Sequence, residues 1–122
     1  MNTFVIHGTG RMAAAIAAAS TAGEMTLAAL VGPKQPGWDT DVAWFSELDE
    51  LPSLPQLLID FTLPEGTRAA AEWCQRNAVP LVSGVTGLSE DTQQALRRAA
   101  REVPVLWSPN LSVGVNLLAD LA

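Results

Sequence analysis

The chain has little cysteine, few basic residues and no long apolar run, and each shortage excludes a class of protein. Its one cysteine, Cys74, excludes an internal disulfide, and its place in a helical pattern predicts a buried, unreactive thiol. Seven Lys and Arg face thirteen Asp and Glu, a formal net charge of −6, which leaves no basic stripe to bind nucleic acid. No apolar run is long enough to span a bilayer, and no basic leader is present. We therefore expect a cytoplasmic protein that binds neither nucleic acid nor membrane.

The remaining composition is typical of one packed globular domain. Hydrophobic residues make up 48% of the chain and charged residues 16%, a balance that favours a core over disorder. A chain of 122 residues buries roughly two-thirds of the surface that its unfolded form exposes. Short apolar runs with strand character occur at residues 4–6, 26–31, 42–45, 57–61, 80–83 and 105–107.

Helical patterns lie between several of these runs. The first begins at Arg11 and extends to about Ala22, with Gly23 as its C′ stop. The second opens at Pro64, a favoured first-turn residue, and the third is capped by Ser89. Their predicted apolar stripes are Ala69, Ala70, Trp73 and Asn77 in the second helix, and Ala95, Leu96, Ala99, Ala100 and Val103 in the third.

The alternation of strands and helices predicts an α/β fold, a Rossmann-like, doubly wound and mostly parallel sheet. The continuously apolar run at residues 26–31 indicates a strand buried on both faces. In such sheets, ligands bind beyond the carboxyl ends of the strands. Glycine-rich or polar loops follow these ends at residues 8–11, 60–62, 84–86 and 108–111, which predicts a ligand site on one rim.

The loop after the first strand has the spacing of a dinucleotide fingerprint, G-x-G-x-x-G/A. Gly8 permits a tight turn, Gly10 lets the backbone approach a pyrophosphate, and Ala13 keeps the helix close to the strand. Phosphates at this turn would meet unpaired N–H groups and the positive end of a helix dipole. Alone, the same pattern also fits a glycine turn that merely joins a strand to a helix.

Four motifs together resemble a known family. They are Gly10-Arg11-Met12, Asp60-Phe61-Thr62-Leu63-Pro64-Glu65-Gly66-Thr67, Ser83-Gly84-Val85-Thr86-Gly87 and Ser108-Pro109-Asn110-Leu111-Ser112-Val113-Gly114-Val115-Asn116. In this order they closely resemble the N-terminal domain of dihydrodipicolinate reductase, an enzyme of the lysine and diaminopimelate pathway. The resemblance covers essentially the whole chain.

This resemblance implies a site for a nicotinamide dinucleotide, NADPH or NADH. In that family the glycine–Arg–Met turn holds the pyrophosphate, and the loops that match residues 84–86 and 108–111 approach the nicotinamide. The cofactor-binding residues expected on this basis are Gly8, Thr9, Gly10, Arg11, Met12, Phe61, Thr62, Gly84, Val85, Thr86, Ser108, Pro109, Asn110 and Leu111. No metal site is expected.

The chain departs from the family pattern at several positions. His7 and Ala13 stand where the family turn usually begins and ends with glycine, and Val85 replaces a hydroxyl residue. His7 is the chain's single histidine, and we interpret it as a packed strand-end residue rather than a ligand or base.

A further departure concerns the choice of cofactor. The second strand ends in Val31-Gly32, and no carboxylate lies between Leu27 and Trp38, where an acceptor for the ribose 2′-hydroxyl is normally found. Arg11 and Lys34 could instead meet a 2′-phosphate. This pattern predicts that NADPH binds at least as well as NADH, with Lys34 as a further cofactor-binding residue; a solvated loop charge is the alternative reading of Lys34.

Family members continue into a second domain that binds substrate and supplies the catalytic histidine and lysine. We therefore expect residues 1–115 to form the dinucleotide-binding domain and residues 116–122 to begin a helix toward that second domain. The apolar residues of this segment, which need a partner in the sheet, in a second copy or in an absent domain, are Leu117, Leu118 and Leu121.

We therefore interpret the chain as the NAD(P)H-binding half of a reductase that delivers hydride to a cyclic imine-like dicarboxylate. No residue of the chain is a convincing acid or base for the substrate, so the chain alone is expected to be inactive. Two alternatives stay open. One is a stand-alone nucleotide-binding or regulatory module without catalysis, and the other is a coenzyme A-binding domain of similar fold.

Overall fold

The computed structural model describes residues 2–20 and 25–108, and six strands of this part of the chain form one parallel sheet. The strands are β1 (Thr3–His7), β2 (Thr26–Val31), β3 (Ala43–Phe45), β4 (Leu57–Asp60), β5 (Leu81–Ser83) and β6 (Val105–Trp107). They lie in the order β3-β2-β1-β4-β5-β6, and each neighbouring pair is parallel. The chain thus starts at the centre of the sheet and builds outward in both directions, which confirms the predicted doubly wound α/β fold.

Three helices cover the sheet in the described residues: α1 (Arg11–Ala19), α2 (Pro64–Asn77) and α3 (Glu90–Ala100). A short 3-10 helix lies at Leu48–Glu50. Ser89 caps α3 by accepting a hydrogen bond from the Thr92 backbone N–H, as predicted. Within residues 2–20 and 25–108, no helix has both the length and the apolar character that a membrane span requires.

The two faces of the sheet carry separate cores. Phe4 and Ile6 of β1 pack with Ile16 of α1, whereas Val5 belongs to the cluster that contains Trp73 of α2. Because successive side chains of a strand point to opposite faces, His7 lies on the same face as Val5, under α2. This alternation directs the polar residues at the strand ends toward the α2 side.

The first helix is shorter than the sequence pattern predicts. It ends at Ala19, with Ser20 as the C-cap residue, rather than near Ala22, and the predicted stop at Gly23 lies outside the described residues. The Ser20 hydroxyl donates to the carbonyl of Ala17 at 2.9 Å. A serine that bonds to the preceding turn competes with helix continuation, which explains the earlier end.

Two burial expectations are wrong in part. Only the second half of β2, from Ala29 to Val31, is buried, because β3 pairs with those three residues and leaves the first half at an edge. In α2, Ala69 is exposed, and so is Ala100 in α3. The buried stripe of α2 is instead Thr67, Ala70, Ala71, Trp73 and Cys74.

Candidate functional site

The loops predicted to bind a cofactor lie side by side at the carboxyl edge of the sheet. Backbone hydrogen bonds extend the ladder one residue past the strands: Gly8 N–H to Val31 O at 2.7 Å, Phe61 N–H to His7 O at 3.0 Å, Gly84 N–H to Asp60 O at 3.1 Å, and Ser108 N–H to Ser83 O at 2.9 Å. The loops therefore start from one common line. Of the predicted site residues, Pro109, Asn110 and Leu111 lie outside the described residues, as do Leu117, Leu118 and Leu121.

Two clefts open between these loops. One, of about 360 Å³, lies between the ends of β1, β2 and β4 and includes Gly8, Thr9, Phe61 and Thr62 in its lining. The other, of about 250 Å³, includes Met12, Gly84, Val85 and Thr86 and shares the wall formed by Phe61 and Thr62. The structure thus brings eight predicted residues to two adjoining clefts.

Three predicted residues, Gly10, Arg11 and Lys34, are exposed and do not line either of these two clefts. Arg11 begins α1, and Lys34 follows β2 by three positions.

A larger cleft lies at the opposite edge of the sheet. Its volume is about 570 Å³, and it is lined by residues at the amino ends of β4, β5 and β6, among them Leu57, Leu81 and Val105. None of the predicted cofactor residues borders it. In open α/β sheets ligands bind at the carboxyl ends of strands, so the two smaller clefts are the candidate ligand site.

The fold requires glycine at the first of the two turn positions, Gly8, but not at the second, Gly10. Gly8 has φ +142°, and a Cβ there would lie 3.1 Å from the carbonyl oxygen of Phe61, so both backbone and packing require glycine. Gly10 has φ −90°, which any residue adopts, and a Cβ there would meet no atom within 4 Å. The fold by itself therefore does not require glycine at position 10.

The start of α1 is open toward the same edge. Gly10 is its N-cap residue and makes no side-chain capping hydrogen bond, and the first turn carries no acidic side chain. Helix starts of this kind leave N–H donors and a positive dipole end for an external anion. Ala13 is buried in the core with Phe4 and Ile6, consistent with the predicted close approach of helix and sheet.

Two tryptophans that the sequence analysis did not single out hold the turn in place. The Trp38 indole N–H donates to the carbonyl of Thr9 at 3.1 Å, and the Trp44 indole N–H donates to the carbonyl of Gly32 at 3.0 Å. A Cβ at Gly32 would lie 3.2 Å from the Thr9 methyl group. The end of β2 and the glycine turn therefore pack tightly together. The available signals were Trp38 in an otherwise polar loop and Trp44 in a short strand.

Asp60, at the end of β4, is the residue whose role sequence reasoning missed most clearly. Its carboxylate is 0% exposed and accepts hydrogen bonds from four side chains and one backbone N–H. The donors are His7 Nδ1 (3.1 Å), Thr62 Oγ1 (2.7 Å), Thr62 N (3.4 Å), Thr67 Oγ1 (2.6 Å) and Ser83 Oγ (3.0 Å). The hydroxyls of Thr62, Thr67 and Ser83 and the Thr62 backbone N–H all donate to this carboxylate, and a hydrogen on Nδ1 of His7 would let the ring donate as well. A strand-end aspartate with a threonine two positions later was the only sequence signal.

The interpretation of His7 as a packed strand-end residue is confirmed, because His7 is 8% exposed and bonded to Asp60. Cys74 is buried as predicted, and burial, with a smaller contribution from the Asp60 charge, raises the pKa of its thiol to about 12. Such a thiol is not a nucleophile at neutral pH. His7 borders the cleft between β1, β2 and β4, whereas Cys74 borders neither of the two clefts.

The close contact between Gly66 and Thr62 supports a prediction about stability. A Cβ at Gly66 would overlap the Thr62 hydroxyl and its Cβ, so Gly66→Ala must displace Thr62 from Asp60. Alanine normally favours a helix by about 0.5–1 kcal/mol over glycine, yet overpacking typically costs about 1–3 kcal/mol. We expect Gly66→Ala to lower the free energy of unfolding in urea titrations. The neighbouring exposed Glu65→Ala is the control, and equal or greater stability of Gly66→Ala would contradict the contact.

Comparison with known proteins agrees with this geometry. Residues 2–111 match the family model described as dihydrodipicolinate reductase, N-terminus. A 4-hydroxy-tetrahydrodipicolinate reductase of Xylella fastidiosa is 37% identical over 122 aligned residues, which cover 96% of this chain and 52% of the relative. The chain thus spans about half the length of such a curated relative.

Solved structures share the fold. The dipicolinate-bound dihydrodipicolinate reductase of Paenisporosarcina sp. TG-14 matches with a TM-score of 0.79 and 23% identity, over 93% of this chain and 49% of that chain. A conserved hypothetical protein of Pyrococcus furiosus matches with a TM-score of 0.63 and 16% identity, over 93% of this chain and 99% of that chain.

Proposed function

The chain belongs to the family of dihydrodipicolinate reductase N-terminal domains, and from this premise we propose that it is the cofactor-binding half of a reductase. The proposed reaction transfers hydride from NADPH or NADH to a cyclic imine-like dicarboxylate in lysine and diaminopimelate synthesis. The cofactor supplies the hydride when it is bound, and this domain supplies binding and orientation.

The observation that carries the proposal is the environment of Gly10. Neither its backbone angles nor its neighbours require glycine. A ligand that approaches the backbone from outside does require it, and the uncapped start of α1 favours an anion there. A pyrophosphate meets both conditions.

The two clefts support a division of the cofactor between them. We assign the adenosine end to the cleft between β1, β2 and β4, beside Thr9 and Gly32, and the nicotinamide end to the cleft bordered by residues 84–86. The glycine turn follows β1, which lies between β2 and β4 in the sheet. In this arrangement Phe61 and Thr62 contact both halves, since they line both clefts.

Residues 1–115 are the proposed dinucleotide-binding domain, and residues 116–122 are proposed to begin the helix that leads to a substrate and catalytic domain. The curated relative from Xylella fastidiosa is about twice as long as the part that this chain matches, which supports this division. We propose that Leu117, Leu118 and Leu121 pack against that domain or against a second copy of the chain.

The direct test is a calorimetric titration of the purified chain with NADPH, with NADH and with coenzyme A. Saturable binding of either dinucleotide supports the proposal. Binding of coenzyme A alone would assign the chain to a different ligand class. If the chain binds a dinucleotide but a full-length version shows no turnover, the alternative of a regulatory nucleotide-binding module would be favoured.

Cofactor preference gives a second, separable prediction. Arg11 and Lys34 are exposed at the carboxyl edge, so we expect NADPH to bind at least as well as NADH. Added salt should shrink the margin, because exposed charges are screened within about 8–10 Å at ordinary ionic strength. Lys34→Ala should lower NADPH affinity about two- to fivefold, the range of an exposed charge pair, and leave NADH affinity unchanged. Arg98→Ala, an exposed cation on α3, is the control; a preference for NADH that survives Lys34→Ala would contradict the assignment.

A further inference from the structure

The buried cluster around Asp60 connects the two halves of the proposed cofactor site. Its Oδ1 atom accepts hydrogen bonds from His7, which precedes the glycine turn, and from Thr62, in the wall shared by both clefts. Its Oδ2 atom accepts from Ser83, which precedes the loop at residues 84–86, and from Thr67 of α2. One carboxylate therefore joins three segments that border the clefts.

The connection continues beyond the carboxylate on the β5 side. The Ser83 hydroxyl donates to Asp60 at 3.0 Å and lies 3.5 Å from the Val85 N–H, from which it accepts. The Val85 carbonyl in turn accepts from the Trp107 indole N–H at 2.9 Å. A chain of hydrogen bonds thus runs from His7 through Asp60 and Ser83 to the backbone of the loop assigned to the nicotinamide.

The carboxylate of Asp60 and its partners on the Oδ2 side have no access to a ligand of their own. Asp60 and Thr67 are 0% exposed and Ser83 is 1% exposed, and in the described residues each buried side-chain polar atom has a hydrogen-bond partner. Such fully satisfied polar networks make an arrangement unique, because any displaced donor loses its partner in a low-dielectric interior. The effect of Asp60 on a ligand must therefore be indirect.

We propose that Asp60 is a positioning residue that holds the glycine turn and the loop at residues 84–86 at the separation that a whole dinucleotide needs. The inference rests on the proposed dinucleotide function. Asp60 does not contact the cofactor, and its role is to fix the relative position of two half-sites. Its loss should therefore affect a ligand that spans both clefts and spare a ligand that occupies one.

The test compares NADPH with a fragment, 2′,5′-ADP, which reaches only the adenosine side. Asp60→Asn keeps the size of the side chain but replaces one of its two acceptor oxygens with an NH2 donor. The donors on that side then lose their acceptor, and one carboxylate no longer joins the two segments. We expect NADPH affinity to fall about tenfold or more, the equivalent of one charge-assisted hydrogen bond at 1.4 kcal/mol per factor of ten. The affinity for 2′,5′-ADP should stay within about threefold on the same scale.

Two variants that each remove one hydroxyl group test the same proposal even if the Asp60→Asn variant fails to fold. Ser83→Ala and Thr67→Val each remove one donor to the same Oδ2 atom. Ser83 precedes the loop at residues 84–86, whereas Thr67 lies within α2. Ser83→Ala should weaken NADPH binding about tenfold and leave 2′,5′-ADP binding unchanged, whereas Thr67→Val should lower the melting temperature without changing either affinity. A purely structural cluster would give the same result for both variants.

The outcomes separate the two hypotheses. Failure of the wild-type chain to bind NADPH would overturn the proposed function and this inference together. Normal NADPH binding by the wild type, with equal binding by Asp60→Asn or Ser83→Ala, would overturn the inference alone. Equal losses for NADPH and 2′,5′-ADP would also overturn it, because the cluster would then act on the adenosine half-site rather than on the separation of the two.

Discussion

Replacing Gly10 with valine is expected to weaken dinucleotide binding at least about 100-fold and to leave the fold unchanged. The fold should tolerate the change because φ at Gly10 is −90° and a Cβ there meets no atom within 4 Å. A branched side chain would nevertheless fill the space through which a pyrophosphate approaches the start of α1. Two lost hydrogen bonds to a charged group, at about 1.5–3 kcal/mol each, exceed the 2.8 kcal/mol or so that corresponds to 100-fold.

Calorimetric titration with NADPH, together with a urea unfolding curve, measures both parts of this expectation. Gly37→Val is the matched control, since Gly37 is an exposed loop glycine whose added Cβ also meets no atom within 4 Å. We expect Gly37→Val to bind normally. Equal affinity of the wild type and Gly10→Val would remove the turn from the cofactor site, even if a dinucleotide binds elsewhere.

The second large effect is catalytic: the chain of 122 residues is expected to show no turnover of the cyclic imine-like dicarboxylate with NADPH. In residues 2–20 and 25–108, His7 is buried with Nδ1 bonded to Asp60, and burial raises the pKa of Cys74 to about 12. A positioned proton donor contributes about 10²–10⁴-fold, and alignment of two reactants about 7–11 kcal/mol. Without a positioned proton donor and without alignment of substrate and cofactor, the rate of turnover should lie below detection.

The assay follows the absorbance of the reduced nicotinamide with saturating NADPH and the substrate generated in place. A full-length reductase of the same family, assayed in parallel, shows that substrate is present. Steady turnover by the pure chain at roughly 1–10³ per second, the ordinary enzyme range, would mean that residues described here as structural carry the chemistry. His7→Asn and Cys74→Ala would then identify which one does.

The order of the elements was predictable because it depends on local patterns. Short apolar runs that alternate with helical stretches predict a parallel sheet whatever the details of packing, and Ser89 marked the start of α3 by its own side chain. The ends of elements were harder, as α1 shows: its last residue is set by a hydrogen bond from Ser20 to Ala17, which competes with the apolar pattern.

The burial of individual residues depended on neighbours that the sequence does not identify. The run at residues 26–31 predicted a strand buried on both faces, but β3 is only three residues long and covers only its second half. Ala69 and Ala100 fit a helical stripe by spacing, yet both are exposed. The buried stripe of α2 is shifted toward Ala71 and Cys74, whereas that of α3 is as predicted except for Ala100. Alanine is small enough for either position, so its presence does not specify the face.

The sequence alone determined the family, the doubly wound fold and the line of loops along one edge of the sheet, because motif spacing and strand–helix alternation are properties of the chain itself. The tertiary structure alone decided how those loops are held. Asp60 collects donors from His7, Thr62, Thr67 and Ser83, which lie up to 53 positions away along the chain. It can do so because parallel pairing places the carboxyl ends of β1, β4 and β5 next to one another, and a buried carboxylate is stable only where several donors converge. No pattern in the sequence predicts that these donors converge on one carboxylate.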